Sequence, residues 1–495
     1  MNILGISAGF HDAGVAGIQD GKIVFAGHSE RYSKIKHDAR LNEKIIEDCL
    51  SYLGKPDLIT YYERPWLKKT RQLYAGQWQD VFDGWSVRKL VDDVDPISQL
   101  KNIPIKTYGH HKSHAAAGFQ TSPFDNATVV VVDAIGEWDT MSIWSAEYDR
   151  NGHAKYKKLW SQKYPHSIGL MYSAFTKEVG LRPLDEEYIL MGMAAYGNNY
   201  YKDLYRLQLI EDPYTLTFRH NLHLGLPDSG EWGEEYDVAA SAQELTDLLI
   251  RIVMERAHLL GKSKNLVYMG GVALNCQINS HLGSFFDNIW IMPNPGDCGS
   301  SLGSAALAYG KRLDWKDAYL GHDIKGSYPV KDLVSELLEN KIVGVASGRA
   351  EFGPRALGNR SLLADPRGPE IKDQVNEIKR RQKFRPFAPV ILEEFVNEYF
   401  MMPSGWKTSP YMQTVAYCRE PGLFPAIVHH DETSRVQTVS KDCNSGIREL
   451  LEVWYEWTGC PMLLNTSLNI RGEPMVNNRL DADRFEKKYG VRVLS

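Results

Sequence analysis

The sequence predicts an α/β chain built from two units, and three features carry that prediction. A strand-turn-strand pattern occurs twice within the first 150 residues, two later strands each run into a glycine-rich turn and a helical pattern, and a stretch crowded with Arg, Gly and Pro follows beyond residue 340. At 495 residues the chain exceeds one ordinary core, because domains of about 100 to 200 residues are the norm.

The first pattern runs from a strand at Ile3 to Ser7 through a polar turn (Gly9 to Gly14), a second strand (Val15 to Ile18), an Asp20-Gly21 turn and a third strand (Lys22 to Ala26). Asp-Gly between apolar runs is a hairpin signal. The pattern returns as Thr128 to Asp133, a turn at Gly136 to Asp139, Met141 to Tyr148 and a turn at Asn151-Gly152. Two such units suggest a weak internal duplication and the duplicated actin-like phosphotransferase fold, whose paired turns face a nucleotide's phosphates; two unrelated hairpins would read the same way. Asn265 to Met269 then runs into Gly270-Gly271-Val272-Ala273-Leu274-Asn275, and Asn288 to Met292 into Pro293 to Gly299. Strand, glycine turn and helix together bring backbone N–H groups to an anion or a nucleotide sugar. A boundary is expected at Gly321 to Tyr328, giving units 1–325 and 326–495. The second holds a strand (Lys341 to Ala346), a helix (Glu370 to Arg381) and Arg385-Pro386-Phe387-Ala388-Pro389.

Hydrophobic and charged fractions of 43% and 24% are globular averages and argue against disorder. A net charge of -5 excludes a globally basic nucleic-acid binder while leaving room for a local basic groove. The six cysteines form neither a CxxC pair nor a disulfide scaffold, which fits a reducing compartment. The first residues read as a strand rather than a signal peptide, and no run is apolar enough to span a bilayer. The expected location is the cytoplasm.

His110, His111 and His114 stand together in Gly-His-His-Lys-Ser-His. On a helix, His110 and His114 would be i and i+4 neighbours, about 5 to 6 Å apart at Cβ, close enough to share a metal. Asp133 at a strand end and Asp297 in the later glycine turn would complete a set of two imidazoles and two carboxylates suited to Fe, Mn or Zn. Surface histidines on an exposed helix would show the same spacing. His111 occupies the place where a zinc peptidase needs its Glu base. In the second unit, Arg349, Arg355, Arg360, Lys379, Arg385 and Arg435, with Asn465-Thr466-Ser467, form a set able to hold phosphate. Gly348, Gly353, Pro354 and Gly358 favour tight loops for the first three arginines, and Arg385 sits between Phe384 and Pro386. The plainer reading is a solvated basic face.

The segments GISAGFHDAG, SERYSKIKHD, HHKSHAAAG, VVVVDAIGEWD, PHSIGLMYSAFT, GGVALNC, NPGDCGSSLGSA, GRAEFGPRALGNRSLLADPR, RPFAP and NTSLNIRGEP together resemble the O-carbamoyltransferases of nodulation-factor and antibiotic biosynthesis, across nearly the whole chain. The resemblance implies an actin-like domain, similar to the threonylcarbamoyl-adenosine transferase, joined to a YrdC-like domain. The YrdC-like part would convert carbamoyl phosphate and ATP, used with Mg, to carbamoyl adenylate, and the actin-like part would pass the carbamoyl group to a hydroxyl. It also implies His110, His114, Asp133 and Asp297 as ligands of Fe(II) or another divalent transition metal, and Gly270, Gly271 and Asn275 near the nucleotide. Arg355, Lys379, Arg385, Arg435 and Ser467 would hold carbamoyl phosphate and the adenylate, with His11 as candidate general base or, equally, a phosphate or structural contact.

Two departures stand out. Relatives read close to Glu-Tyr-Lys-Val-Met-Gly where this chain has Glu187-Tyr188-Ile189-Leu190-Met191-Gly192, so a cationic contact is expected to be missing. The end, Arg484 to Ser495, reads as short of a returning helix. Rival readings are an actin-like kinase or ATPase, a threonylcarbamoyl-type tRNA enzyme and a nucleotide-binding scaffold. Tyr61 to Lys89 interleaves Trp66, Tyr74, Trp78 and Trp85 with Arg64, Lys68, Lys69, Arg71, Arg88 and Lys89. That composition could stack on rings and neutralise phosphates or form an amphipathic lid. The acceptor is therefore either a sugar or natural-product hydroxyl, or the hydroxymethyl group of a modified pyrimidine in a nucleotide or DNA; the sequence leaves homo-oligomerisation open.

Overall fold

Strands β1 (Asn2–Ser7), β2 (Gly14–Gln19) and β3 (Lys22–His28) form an antiparallel meander, and β4 (Leu58–Tyr61) and β5 (Ile105–Thr107) add parallel on the far side of β1. The computed structural model from which this order is read describes residues 1–81, 86–95, 99–228, 232–381, 385 and 387–495. Trp85, Phe384 and Pro386 lie outside the described residues. A second meander of β6 (Asn126–Gly136), β7 (Asp139–Tyr148) and β8 (Ala154–Lys163) is followed, after a small hairpin of β9 (Ile210–Asp212) and β10 (Thr217–Phe218), by parallel β11 (Asn265–Met269) and β12 (Asn288–Trp290). The two sheets have orders β3-β2-β1-β4-β5 and β8-β7-β6-β11-β12. Strand for strand they are the same, so the fold is a duplicated, actin-like one and the hairpins are related by topology.

Two helices lie between the sheets. His110–Thr121 packs on the second sheet, Ser300–Tyr309 on the first, and the two pack on each other. Small residues permit this: a Cβ on Gly303 would stand 1.9 Å from the Ser113 carbonyl oxygen, and one on Gly5 2.0 Å from that of Ser301. The close crossing carries Asp297, in the 3₁₀ turn Asp297–Gly299 that leads into the second helix, to His114 on the first.

The second unit is a six-stranded mixed sheet in the order β21-β17-β22-β16-β14-β23. Its strands are β14 (Ile342–Ala346), β16 (Arg360–Ala364), β17 (Ala388–Leu392), β21 (Gln437–Val439), β22 (Met462–Ser467) and β23 (Val493–Leu494). Alternate residues face opposite sides. Val343, Val345 and Leu363 pack under helices Val330–Asn340 and Ile447–Thr458, while Ile342, Leu362 and Ala364 pack under Glu370–Lys379 and Arg479–Tyr489. β13 (Tyr319–Ile324) pairs antiparallel with β15 (Gly348–Glu351), tying the stretch before residue 325 to the stretch after it. A short three-stranded sheet of β18 (Phe400–Met401), β19 (Ala416–Cys418) and β20 (Thr433–Ser434) flanks this unit.

One expectation is corrected here. The end of the chain carries a returning helix, Arg479–Tyr489, opened by an Asn478/Asp481 capping box, and β23 then pairs parallel with β14. The helix is hard to read because its surface is charged and it buries little beyond Ala482 and Phe485. Elsewhere the boundaries differ slightly: the strand expected at Asn288 to Met292 ends at Trp290, and the helix expected to reach Arg381 ends at Lys379, with Arg380 at φ 47°.

Gly270 has φ +94°, and a Cβ there would lie 2.1 Å from the Val132 carbonyl oxygen. Gly270→Ala is therefore expected to destabilise the protein by roughly 2–4 kcal/mol, combining backbone strain with overpacking, as a lower denaturant midpoint would show.

Candidate active site and metal centre

His110, His114, Asp133 and Asp297 are buried and place their ligand atoms within 4.8 Å of one another. His114 Nε2 lies 3.1 Å from His110 Nε2, and 3.2 Å from both Asp133 Oδ2 and Asp297 Oδ1. His110 Nε2 is 3.2 Å from the same two oxygens. Such edges are those of neighbouring ligands around one first-row ion bonded at about 2.0–2.2 Å. Two neutral imidazoles and two carboxylates balance a divalent charge, so the set fits a metal; burial excludes the surface-histidine alternative. The histidines hold the Asp133 carboxyl well below the usual carboxylate range against the opposing effect of burial.

Each ligand is oriented by a neighbour. The register of β6 against β7 shifts between Val132 and Gly136, a bulge that turns Asp133 into the centre. Asp133 Oδ1 accepts the Ala134 N–H at 2.8 Å, leaving Oδ2 for the cluster. His114 Nδ1 lies 3.1 Å from the Pro295 carbonyl oxygen, an acceptor that puts the proton on Nδ1 and frees Nε2. Glu63, paired with Lys68 at 2.8 Å, stands 3.7 Å from His110 Nδ1. Gly136 keeps the helix close: a Cβ there would lie 2.5 Å from ring carbons of His110 and His111. His111 bonds Ser142 Oγ at 2.7 Å and stands outside the four.

A cavity of ≈ 660 Å³ runs from Asp133 and His11 to the second unit, where Arg355, Lys379, Arg381, Arg385, Arg435 and Ser467 line it. Lys379 Nζ donates to the Ser467 carbonyl at 2.6 Å and to Asn469 Oδ1. Burial, then Arg381 and Arg385, push Lys379 well below the usual lysine range. Arg355 and Arg385 are likewise lowered by burial and by Arg435, and the buried Arg435 Nε has no hydrogen-bond partner among the described residues. Cations gathered along one cavity have the chemistry to hold a multiply charged anion.

Family models meet this geometry along most of the chain. The model for the carbamoyltransferase N-terminus matches residues 2–62 and 63–306, and that for the carbamoyltransferase C-terminus matches residues 334–495. The chain belongs to the carbamoyltransferase family. Among its relatives, an uncharacterized Synechocystis protein is 34% identical, covering 98% of this chain and 94% of its own. Nodulation protein NolNO of Sinorhizobium fredii is 30% identical over 95% of this chain and 76% of its own, and NolO of Bradyrhizobium diazoefficiens 32% identical over 75% of each. The solved structure of full-length HypF in its phosphate- and nucleotide-bound form has a TM-score of 0.38 at 12% identity, covering 62% of this chain and 55% of that one.

In this carbamoyltransferase two of the expected anion binders do other work. Arg360 is fully buried and donates to the carbonyls of Asn477, Ser347, Asn359, His322 and Gly348. Arg349 donates to the Gly321 and Val24 carbonyls and stacks 4.5 Å over Tyr52. Both lie on strands rather than in the expected tight loops, Arg349 within β15 and Arg360 at the start of β16, and there their guanidiniums are spent on backbone carbonyls. Gly271 and Asn275 line the cavity, with Asn275 Oδ1 capping a short helix through the Ile278 N–H at 3.2 Å; Gly270 shapes the turn behind them.

The carbamoyltransferase site also holds residues the sequence reading passed over. Tyr188, from the first unit, lies 4.9 Å under the Arg385 guanidinium, and Arg381 stacks 4.0 Å over Phe387. Ile189 is buried at the cavity wall, while Lys36 lines the same cavity 3.7 Å from Asp185, so a cation does stand in this region. Only the adjacency of Tyr188 to the Ile189 departure hinted at the first of these. Helix Pro65–Tyr74 bridges both tight turns: Lys68 lies 5.6 Å over Phe10, and Thr70 Oγ1 accepts from Trp138 Nε1 at 3.0 Å. That is the position of a lid, yet Trp66, Tyr74 and Trp78 remain 60–69% exposed on it and beside it. Among the described residues no helix is long and apolar enough to cross a membrane.

Proposed function

We propose that the chain is an ATP-dependent O-carbamoyltransferase: residues 326–495 form carbamoyl adenylate from carbamoyl phosphate and ATP, and residues 1–325 transfer the carbamoyl group to a hydroxyl. One observation carries the reading, namely that the cation cluster and Asp133, a candidate metal ligand, line a single cavity. Arg355, Arg385 and Arg435 would hold phosphate oxygens, and Lys379, tethered to Ser467 and Asn469, would offset the charge that develops as water displaces phosphate from the carbamoyl carbon; the carbamate so formed would attack the ATP α-phosphorus, and pyrophosphate would leave with the electron pair. Gly271 and Asn275 would border the nucleotide sugar.

His110, His114, Asp133 and Asp297 would hold Fe(II) or another divalent transition metal, which when bound supplies Lewis acidity toward the adenylate. His11 lines the cavity with Nε2 3.8 Å from Asp297 Oδ2, and we assign it the acceptor hydroxyl proton. Burial opposes its charged form, but Asp297 and Asp12 outweigh that and raise it to about 9. A divalent cation on Asp133 and Asp297 would cancel most of their pull and return His11 toward the range of a base. The carbamoyl carbon then gains a bond to the acceptor oxygen, the bond to the adenylate phosphate breaks, and AMP leaves with the electron pair.

Two acceptor classes stand. A sugar or natural-product hydroxyl is the first. A hydroxymethyl pyrimidine in a nucleotide or DNA is favoured by the exposed Trp66, Tyr74 and Trp78 beside Arg64, Lys68 and Lys69; no carbamoylation of hydroxymethylcytosine DNA while adenylate forms would remove it.

The function is tested by pyrophosphate and AMP release from ATP and Mg. Strict dependence on carbamoyl phosphate is expected. ADP release without it would instead support an actin-like kinase.

A further inference from the structure

Beside the metal centre, four side chains from three separate segments form a continuous hydrogen-bonded row that ends on His11. His11 Nδ1 lies 3.0 Å from Asp12 Oδ2; Asp12 Oδ1 lies 2.7 Å from His37 Nδ1; and His37 Nε2 lies 3.1 Å from Asp185 Oδ1. Asp12 belongs to the first tight turn, His37 to the loop after β3, and Asp185 to the stretch before helix Glu187–Met193. We infer that Asp12, His37 and Asp185 are positioning residues which fix the ring of His11, so that Nδ1 is engaged and Nε2 faces the reacting groups. The inference rests on the carbamoyl-transfer reading for its chemistry and on geometry alone for the orientation.

Three features support it. Each Asp12 oxygen meets a different imidazole, so rotation of the carboxylate would break both contacts. Asp12 and His37 have φ of 50° and 52°, in the left-handed region that non-glycine residues seldom adopt. The two turns are held together by backbone bonds from Gly9 N–H to the Ala39 carbonyl and from Ala13 N–H to the Asp38 carbonyl, both 2.8 Å. His37, contacted by a carboxylate at each ring nitrogen, is raised to about 10, since Asp12 and Asp185 outweigh the opposing effect of burial. As an imidazolium it donates to both, which keeps Asp12 an acceptor for His11. When the acceptor proton arrives at His11 Nε2, the Nδ1 proton stays in place and Asp12 remains ionised; nothing else in the row changes its proton count.

The test uses the full chain loaded with Zn(II), which is diamagnetic, in wild type, His37→Ala and His37→Asn; Asn places an amide donor near the position of Nδ1. The first readout is the His11 Nδ1–H signal in ¹⁵N-histidine-labelled protein, assigned with His11→Gln. We expect a signal protected from exchange in wild type, lost in His37→Ala and regained in His37→Asn. The second is carbamate ester formation on glycerol, used as a hydroxyl probe. It should fall about 10- to 100-fold in His37→Ala, recover in His37→Asn, and leave carbamoyl-phosphate-dependent pyrophosphate release within about twofold. An unchanged Nδ1–H signal in His37→Ala overturns the positioning role whatever the chemistry does. Absence of pyrophosphate release in wild type overturns the adenylate reading and leaves the row to be decided by the resonance.

Discussion

Lys379→Ala is expected to lower carbamoyl-phosphate-dependent pyrophosphate release by about 10²- to 10³-fold, the scale on which removing one preorganised donor acts. Lys379 is buried, and the Ser467 carbonyl and Asn469 hold its Nζ where Arg381 and Arg385 converge. Burial and those cations lower its pKa, and an arriving anion would raise it again. Binding of inorganic pyrophosphate should therefore weaken as pH rises through the lowered lysine range and lose that dependence in the variant. Stability works in the opposite sense. The unfolded chain binds the extra proton between the lowered and the ordinary lysine values, so wild-type stability rises with pH across that window. Lys379→Met should flatten that rise and melt higher than wild type while inactive, a combination that misfolding does not produce. Retained pyrophosphate release in either variant would remove Lys379 from the chemistry.

His114→Ala should abolish stoichiometric metal binding and carbamoyl transfer while preserving most pyrophosphate release. His114 Nε2 touches all three other ligands within 3.2 Å, and its Nδ1 is committed to the Pro295 carbonyl. Loss of an outer-shell partner alone typically costs 10–100-fold in affinity; loss of a ligand should cost more than about 100-fold. His111→Gln is the control, because that side chain faces Ser142 rather than the cluster. Metal analysis after dialysis and the two partial reactions decide the outcome. Loss of pyrophosphate release with transfer intact would reverse the division of labour between the units.

The sequence by itself determined the two meanders, their glycine turns and the histidine pair, because each is local: Asp-Gly turns, alternating strands and an i, i+4 spacing are set by neighbours in the chain, whereas Asp133 and Asp297 meet that pair only through the packing of distant elements. It also marked the cationic character of the second unit. Which cations face the cavity was decided only by tertiary structure. Arg355 and Arg360 stand five positions apart in one glycine-rich segment, yet one lines the cavity and the other is spent on backbone carbonyls. Likewise Asp12, His37 and Asp185 are far apart in sequence, and only the packing of the first turn against the loop after β3 aligns them. The chain's final helix, polar on most of its surface, becomes legible only where Phe485 and Ala482 meet the sheet. Local patterns specify elements; partners separated by hundreds of residues are specified by burial and by the need to satisfy every polar group inside.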